Sequence, residues 1–356
     1  LHKEYRRQRQ MCIRDRIREE MKMKLKKMIA LSLAALAIAG AAAGCGGEKS
    51  NAPGGGKPQA GQTIKINFPT AGASGALYAV GAAITNMWTN NVPGVQAASQ
   101  ASAGGIANLN MVSDGEAQVS IAISSNVYQC LKGTDSFKDH AYPDLKVIAG
   151  LYMNPNQVVV TEKSGIEKLS DVKGKHFAVA SAGSSVYNEC DTHFTAAGLK
   201  FPEDIRAEYI TFTDAADMLQ NGSIDGAWIM SGAPASAVTQ ALTGGCRLVD
   251  IDGALIDAMK QKYPWYTSYT IPAGTYPNQD KDIHTSAIKM VMFTRGDMPE
   301  DVVYNLTKSF WQHIDELGQA QKNLKGLKPE DAVKDIAGVP LHPGAEKYYK
   351  EIGVLK

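Results

Sequence analysis

Alternating and helical patterns of apolar residues follow one another along most of the chain. Residues 63–68 alternate between polar and apolar side chains, which predicts a strand, and Leu77, Val80, Ile84 and Trp88 follow at helical spacing. We expect further strands at 95–101, 119–123, 147–152, 157–161, 176–180, 207–212 and 225–230, and helices at 77–88, from 106, at 186–197 and at 213–220. Strands that alternate with helices predict an α/β fold with largely parallel sheets.

The repeated order of strand, loop and helix predicts two lobes around a ligand cleft. The apolar segment 157–161 is the expected crossing into the second lobe, and the chain returns later. We expect lobe I to comprise residues 63–156 and 271–356, and lobe II to comprise residues 157–270. The hinge between them is expected near Thr161 and Thr270.

An export signal is predicted at residues 21–44. A basic stretch at 22–27 precedes an apolar stretch at 28–44, which ends in Ala42, Ala43 and Gly44 before Cys45. A cysteine directly after small residues predicts a lipoprotein acylated at Cys45, held outside the cytoplasm at a membrane surface in the periplasm or on the outer face of the cytoplasmic membrane. One alternative is a transmembrane anchor, although the stretch falls short of about 20 residues. The other is a cleaved signal with a bystander cysteine.

The segments on either side of this signal are not expected to belong to the folded body. Residues 1–20 contain a dense basic run without an apolar period, so we interpret them as non-native upstream sequence with a true start at Met21 or Met23. Residues 45–62 are rich in glycine, proline, serine, asparagine and lysine, which predicts a flexible tether.

Charge and cysteine content exclude several classes of protein. Removing the 11 basic and 4 acidic residues of positions 1–44 from totals of 37 and 36 leaves 26 basic and 32 acidic residues, a net charge of −6. A mildly acidic mature chain does not suit a nucleic-acid partner. Beyond Cys12 and Cys45, the chain has Cys130, Cys190 and Cys246, which permit one disulfide and a free thiol or three buried thiols. No cysteine or histidine spacing points to a metal, and we expect no cofactor.

Five loops share a composition that suits an anion. They lie where predicted strands end, at 71–74, 102–105, 124–126, 181–185 and 231–234, and none contains a charged residue or histidine. Ligands of open α/β sheets bind beyond the carboxyl ends of the strands, where helix N-termini offer unpaired N–H groups. Serine and asparagine also favour helix starts as simple caps, so a single loop would carry little weight. Together, the five loops favour a cleft for a carboxylate held without an Arg or Lys clamp.

Signals for catalysis are weak in this sequence. Ser184 lacks the glycine context of a nucleophile elbow, and no histidine lies in the candidate loops. An exported serine hydrolase that uses Ser184 or Ser185 remains the enzymatic alternative, and it would require a histidine within hydrogen-bond reach of the serine. We expect a binding protein and not an enzyme.

Several motifs of the mature chain are those of one known family. They are GASGALYAVG at 72–81, SAGGIANL at 102–109, GSSV at 183–186, IDGAW at 224–228, GAP at 232–234, IPAGTY at 271–276, PEDVVY at 299–304, and PLHPGA at 340–345 ahead of Tyr348 and Tyr349. The most specific are near the C-terminus, where His342 is interpreted as structural. In these motifs the chain resembles the TAXI family, the solute receptors associated with TRAP transporters.

The resemblance implies a two-lobed type II periplasmic-binding fold that captures a small organic anion and delivers it to a TRAP membrane permease. Family ligands are typically glutamate-like or dicarboxylate compounds. Gly105 replaces a serine, Ser124 stands near a usual glutamine, and Asn126 replaces an aspartate. Loss of that aspartate favours a carboxylate that lacks an amine. An ABC-transporter or sensor-linked binding protein is the other binding alternative.

Small polar groups are expected to hold the carboxylate while aromatic rings cover the carbon skeleton. We expect a monomer whose partners are the organic anion, the permease and the lipid anchor. The residues predicted to bind the ligand are Ser74, Tyr78, Asn108, Ser124, Ser125, Asn126, Ser184, Ser185, Trp228 and Tyr276.

Overall fold

A computed structural model describes residues 63–71 and 76–356 of this chain. These residues fall within one structural unit, Lys57–Lys356. The predicted signal segment, the tether, Cys45 and Ser74 lie outside the described residues.

Ten strands form the sheets of the described residues. β1 and β2 pair in parallel, and the remaining strands form a mixed sheet in the order β3-β10-β4-β7-β5-β6, with β8 on β4 and β9 on β10. The bounds are β1 Ile64–Pro69, β2 Val95–Gln100, β3 Val119–Ile123, β4 Leu145–Thr161, β5 His176–Ala178, β6 Arg206–Glu208, β7 Gly226–Met230, β8 Cys246–Val249, β9 Thr267–Ile271 and β10 Ile283–Arg295.

Helices connect these strands and cover both faces of the sheets. The α-helices of the described residues are α1 Ala76–Asn91, α2 Gly105–Ser113, α3 Ser124–Lys132, α4 Ser185–Ala196, α5 Phe212–Gln220, α6 Ser236–Thr243, α7 Gly253–Lys262, α8 Glu300–Gln312, α9 Ile314–Ala320 and α10 Pro343–Glu351. Short 3₁₀ helices lie at Asp135–Phe137, Glu162–Ser164, Leu169–Val172, Lys322–Leu324 and Pro329–Asp331.

The long strand β4 belongs to both lobes. Its first part, up to Pro155, is antiparallel to β10, whereas its last residues, from Asn156, are antiparallel to β7. The expected two strands at 147–152 and 157–161 are therefore one continuous strand. Proline lacks a backbone N–H, and Pro155 is tolerated because it lies where β4 leaves one partner for the next.

Apolar side chains form three cores: one mainly in lobe I, which also includes Met259, Trp265 and Tyr266, and two in lobe II. The lobe I core gathers residues from β1, β3, α1, α8 and α10, including Phe68, Trp88 and Phe310. In lobe II the side chains alternate across the sheet, so that Val159 faces one core and Val158 the other. This is the α/β, two-lobed architecture predicted from the sequence.

Among the described strands, parallel pairing joins strands of the same lobe, and β4 adds one isolated parallel bridge from Val147 to Leu341. β1 pairs with β2, and β5 pairs with both β6 and β7, in parallel. The long strands β4 and β10 pair with each other and with their other neighbours in antiparallel fashion. The sheets are therefore mixed, because the two crossing strands run against the strands that each lobe contributes.

The segment from β9 into β10 makes contacts with lobe II. Ile271 and Tyr276 pack within a lobe II core, and Ile283 pairs with Ile271 at the start of β10. β10 then meets β4 from Ala287 onward. The changes of strand partner lie at Asn156 and Ala287, whereas the sequence places the hinge near Thr161 and Thr270; the position of the hinge stays a prediction.

Within the described part of the chain, none of the helices combines the length and apolar character needed to span a membrane. Cys130, Cys190 and Cys246 are buried as free thiols, which is one of the two alternatives left open by the sequence. Burial raises the pKa of the Cys130 thiol to about 11 and that of Cys190 well above its usual value. These thiols are therefore protonated at neutral pH.

Candidate functional site

Three helix N-termini converge at the contact between the lobes. The Ser185 hydroxyl, on the first residue of α4 in lobe II, donates to Oδ1 of Asn126 in the first turn of α3 in lobe I. A Cβ placed on Gly105, the first residue of α2, would lie 3.4 Å from Ser185 Oγ and 3.6 Å from Asn126 Oδ1. Three of the five predicted loops, 102–105, 124–126 and 181–185, therefore meet. We call this region the three-helix site.

The three-helix site is rich in unpaired donors. Neither α2 nor α3 has a side-chain hydrogen bond at its N-cap, and the first turns of α2, α3 and α4 contain no acidic residue. The hydroxyls of Ser124 and Ser125 are fully buried; that of Ser124 has no hydrogen-bond partner, whereas that of Ser125 lies beside the carboxyl of Glu189. Unpaired N–H groups and the partial positive charge of each helix end favour an anion here.

The backbone around this site adopts uncommon conformations. Gly104 has a φ of 102°, and Gly183 has a φ of 74°. Ala180, two residues after the end of β5, has a φ of 66° although it is not a glycine. Such positions persist only where the surrounding structure holds them, and they often accompany binding sites.

Ser184 caps α4 rather than standing free. Its side chain accepts a hydrogen bond of 3.1 Å from the backbone N–H of Tyr187. The Ser184 hydroxyl can still donate to a ligand, because a hydroxyl both donates and accepts. Neither Ser184 nor Ser185 has a histidine among its hydrogen-bond partners in the described residues.

Asn108 supports the site from below. Its Nδ2 donates to the carbonyl of Thr70 at 2.8 Å and to that of Ile121 at 3.2 Å, and its Oδ1 accepts from Ser102 Oγ at 2.6 Å. The side chain is fully buried. These bonds occupy the amide, so that Asn108 joins the end of β1 and the middle of β3 to the 102–105 loop.

The predicted aromatic residues do not gather at the three-helix site. Trp228 points into a lobe II core, where its ring lies 5.7 Å from that of Phe194, because neighbouring side chains on β7 alternate between the two faces. The hydroxyl of Tyr276 accepts from the backbone N–H of Ala235 at 3.0 Å and donates to Gln157. Tyr78 is half-buried on α1.

The fifth predicted loop, 231–234, lines a separate cavity. This cavity has a volume of about 540 Å³ and lies beside the first residues of α5 and α6. Lys322 and Asn323 close its other side. The loop lacks charge, as the sequence indicated, but folding places a lysine from a distant segment next to it.

A polar stripe on α4, missed by the sequence reasoning, runs from the site into the interior. Ser185, Glu189 and His193 follow one another at intervals of four residues and so share one helix face. Tyr266 Oη donates to Glu189 Oε2 at 2.7 Å, and the side chain of Ser125 lies beside the same carboxyl. Burial raises the pKa of Glu189 to about 7.

His193 ends this stripe among neutral partners. Its Nδ1 is 2.7 Å from the carbonyl oxygen of Glu189, and its Nε2 is 2.7 Å from Ser286 Oγ. A carbonyl only accepts, so Nδ1 carries the proton and Ser286 donates to Nε2. Burial lowers the pKa of His193 to about 4, so the ring is neutral at pH 7. The spacing in the sequence was the available signal for this stripe.

The described residues contain no group of three or more histidine, cysteine, aspartate or glutamate side chains placed to hold a metal ion. What the site offers chemically is a set of neutral donors and helix ends. Such a set can bind and enclose an anion.

A family model, described as the NMT1-like family, matches residues 68–353. Solved structures show more distant similarity. The periplasmic aliphatic sulphonate binding protein SsuA from Escherichia coli is 17% identical, with 82% of this chain and 83% of that chain covered and a TM-score of 0.43. The alkanesulfonate-binding protein SsuA from Xanthomonas axonopodis pv. citri, bound to MOPS, is 16% identical over 83% and 96%, with a TM-score of 0.45.

An ancestral arginine-binding protein bound to arginine is 14% identical, with 74% of this chain and 98% of that chain covered and a TM-score of 0.43. At this level of similarity, no statement about the ligand of the present chain rests on these structures.

Proposed function

This chain belongs to the NMT1-like family, and on that premise we propose that it is an extracytoplasmic solute-binding receptor for a small organic anion. The observation that carries the proposal is the three-helix site, where the buried Ser124 hydroxyl has no hydrogen-bond partner and the Ser125 hydroxyl lies against the Glu189 carboxyl. Buried polar groups normally have partners, so an unpaired hydroxyl at converging helix ends favours a site for a polar ligand.

The ligand is a carboxylate or dicarboxylate held without a cationic side chain. Each helix end contributes about 0.3–1 kcal/mol to the binding of an anion when exposed, and up to about 2 kcal/mol when partly buried. Hydrogen bonds to a charged group add roughly 1.5–3 kcal/mol each. Several such donors, closed off from water between the lobes, suffice for useful affinity.

The binding residues that we propose are fewer than the sequence suggested. Ser124, Ser125, Asn126 and Ser185 contact the anion, together with the backbone N–H groups at the start of α2, α3 and α4. Ser184 positions the first turn of α4. Ser74 and Tyr78 stay as proposals for the side of the cleft formed by α1.

Capture involves closure of the two lobes. The hydrogen bond from Ser185 to Asn126 joins lobe II directly to lobe I, which corresponds to a closed form. An anion enters when the lobes part, and hinge motion is located where β4 and β10 change partners. Solution scattering should give a smaller radius of gyration with ligand than without.

Glycine at the start of two helices offers a matched test of the site. Gly105→Val would place a branched side chain against Ser185 and Asn126, whereas Gly253→Val, at the first residue of α7, would meet open space. In a calorimetric screen of glutarate, 2-oxoglutarate, glutamate and ethanesulfonate, we expect Gly105→Val to abolish binding and Gly253→Val to retain it. A preference for a neutral sugar, or a carboxylate held by an arginine side chain in a bound structure, would overturn the proposal.

We further propose that the receptor is a lipoprotein anchored at Cys45 and that it serves a TRAP-type permease. The anchor is supported by the order of residues 22–45, and the permease by the TAXI-like motifs at 271–276, 299–304 and 340–345. Cys45→Ala should release the protein from membranes or leave it unprocessed. A fused TRAP permease gene beside this gene would support the partner, and an ABC permease gene there would contradict it.

A further inference from the structure

Glu189 is a buried carboxyl at the contact between the lobes. It lies one helical turn, about 6 Å along the axis, beyond Ser185 on α4. Only 5% of the residue is exposed to solvent. Tyr266 donates to Oε2, and Ser125 of lobe I lies against the carboxyl. Ser125 is therefore shared between this carboxyl and the three-helix site.

No cation balances this carboxyl among the described residues that pack around it. α3 contributes Ser125, and the strands β4 and β10 contribute Asn156 and Ser286 near His193, none of which titrates. The titratable neighbours are Tyr266, whose pKa is raised well above its usual value by burial, and His193, whose pKa burial lowers to about 4. Both are neutral at pH 7, so an ionised Glu189 would be an isolated buried charge.

We propose that binding of an anion at the three-helix site is coupled to the uptake of one proton from solvent by Glu189. This inference rests on the proposed anion-binding function. Two negative charges about one helical turn apart repel each other strongly in a closed, poorly hydrated interior. The proton adds to the Glu189 carboxylate, and the resulting carboxylic acid can donate to the Ser125 hydroxyl, which in turn can donate to the anion.

The direction of the pH effect follows from the two forms of the carboxyl. In an open form, water reaches Glu189 and its pKa returns toward the usual value for glutamate. In the closed form burial raises that pKa to about 7, and a bound anion raises it further. Affinity for the anion therefore falls as the pH rises between these pKa values, by up to about tenfold per pH unit, and levels off above them.

Calorimetry of the folded protein tests the coupling. The probe is whichever of glutarate, 2-oxoglutarate or ethanesulfonate binds most tightly. Titrations at pH 5.5, 6.5, 7.5 and 8.5 in imidazole and in Bis-Tris, which differ in ionisation enthalpy and carry no anionic group, give the number of protons taken up. We expect an uptake approaching one proton within the window of falling affinity.

Three variants test whether Glu189 is the group that takes up the proton on anion binding. Glu189→Gln keeps the shape of the side chain and cannot titrate, so proton uptake and the pH dependence of affinity should both disappear. Tyr266→Phe removes a hydroxyl that stabilises the ionised carboxyl, so the window should move to higher pH while uptake persists. Glu203→Gln removes an exposed carboxyl of lobe II and should behave as wild type.

Each outcome decides the question. Binding without proton uptake, or unchanged uptake in Glu189→Gln, would overturn the coupling while leaving the anion receptor intact. Binding of glutamate in strong preference to glutarate with no uptake would assign Glu189 to the ligand ammonium instead. If Glu189→Gln does not fold, a Tyr266→Phe window that fails to move would overturn the coupling. No binding of any probe would overturn the receptor function, and the coupling with it.

Discussion

Helices α4 and α8 both pack a buried face, but they bury different chemistry. α8 stacks Val303, Leu306 and Phe310 into the lobe I core, each fully buried. Its neighbours α1 and α10 belong to the same lobe, and Trp88 Nε1 donates to the Leu306 carbonyl at 3.0 Å. α4 instead buries Glu189 and His193 beside the apolar Cys190 and Phe194, and the Glu189 carboxyl lies against Ser125 of lobe I.

On the proposed closure of the lobes, this difference would separate contacts that stay formed from contacts that open. An apolar face such as that of α8 gains free energy by exclusion of water, roughly 25 cal/mol per Å² of buried apolar area, and would lose it on exposure. A polar face can be hydrated again when the lobes part, so its exposure costs less. We infer that α4 is built for an interface that forms and separates during ligand capture.

The largest effect is expected from the apolar helix. Phe310→Ala should lower the free energy of unfolding by about 3–5 kcal/mol, because it leaves a cavity in the lobe I core. Urea denaturation of the variant and wild type measures this directly. The loss should be the same at pH 5 and pH 8, since no titratable group is removed. A loss below 1 kcal/mol would show that the core of lobe I relaxes around the cavity. It would contradict the claim that the apolar face of α8 contributes more to stability than the polar face of α4.

The contribution of α4 to the free energy of unfolding should depend on pH. Glu189 has a raised pKa, so its contribution to stability is present below about pH 4.5 and is lost as the pH rises toward 7. His193 has a lowered pKa, so its contribution is present above about pH 6.5 and is lost as the pH falls toward 4. Between these limits the two slopes oppose each other, and wild-type stability should change little on their account.

Single substitutions on α4 should make the pH dependence of the unfolding free energy due to each residue measurable. Relative to wild type, Glu189→Gln should make the unfolding free energy rise with pH between about 4.5 and 6.5, and His193→Gln should make it fall. Each slope is at most about 1.4 kcal/mol per pH unit. Urea titrations across this range provide the measurement, with Phe310→Ala as the variant whose profile should stay parallel to that of wild type. Parallel profiles for all three variants would contradict the assigned pKa shifts.

A buried polar residue that serves one lobe alone should behave differently from the α4 stripe. Asn108→Ala would leave the carbonyls of Thr70 and Ile121 without a partner, and we expect a loss of about 1–3 kcal/mol in unfolding free energy. Asn110→Ala, at an exposed position on the same helix, should change stability little. Reduced affinity with unchanged stability in Asn108→Ala would instead place its amide on the ligand.

The sequence predicted the parts of the fold that depend on local pattern. The strands at 64–69, 95–100 and 119–123 and the helix at 76–91 lie close to their expected positions. The apolar pattern predicted two strands, at 147–152 and 157–161, where the structure has the single strand β4. Its continuity depends on pairing with β10, more than 100 residues away, which a local pattern does not contain.

In the candidate site, too, the sequence predicted the features that depend on local pattern and missed those that depend on distant segments. Serine and glycine at strand ends predicted three loops that do converge, because helix starts follow local rules. The direction of Trp228, the bonds of Asn108 and the environment of Glu189 depend on packing between distant segments. A glutamate at the fifth position of a helix looks like a solvated surface residue until Tyr266 and Ser125 are known to cover it.

The smallest expected effect comes from removing a helix N-cap, and it should differ between a cap at the three-helix site and a cap elsewhere. Ser184 at the start of α4 and Thr211 at the start of α5 both accept a hydrogen bond from a backbone N–H three residues later. Replacing either by alanine should lower stability by about 1 kcal/mol, because each leaves one N–H of the first turn unpaired. Ser184→Ala should also weaken anion binding several-fold in calorimetry, since the first turn of α4 faces Asn126. Thr211→Ala should leave affinity unchanged. Equal effects of both variants on affinity would mean that loss of stability, and not the position of the cap at the contact between the lobes, controls binding.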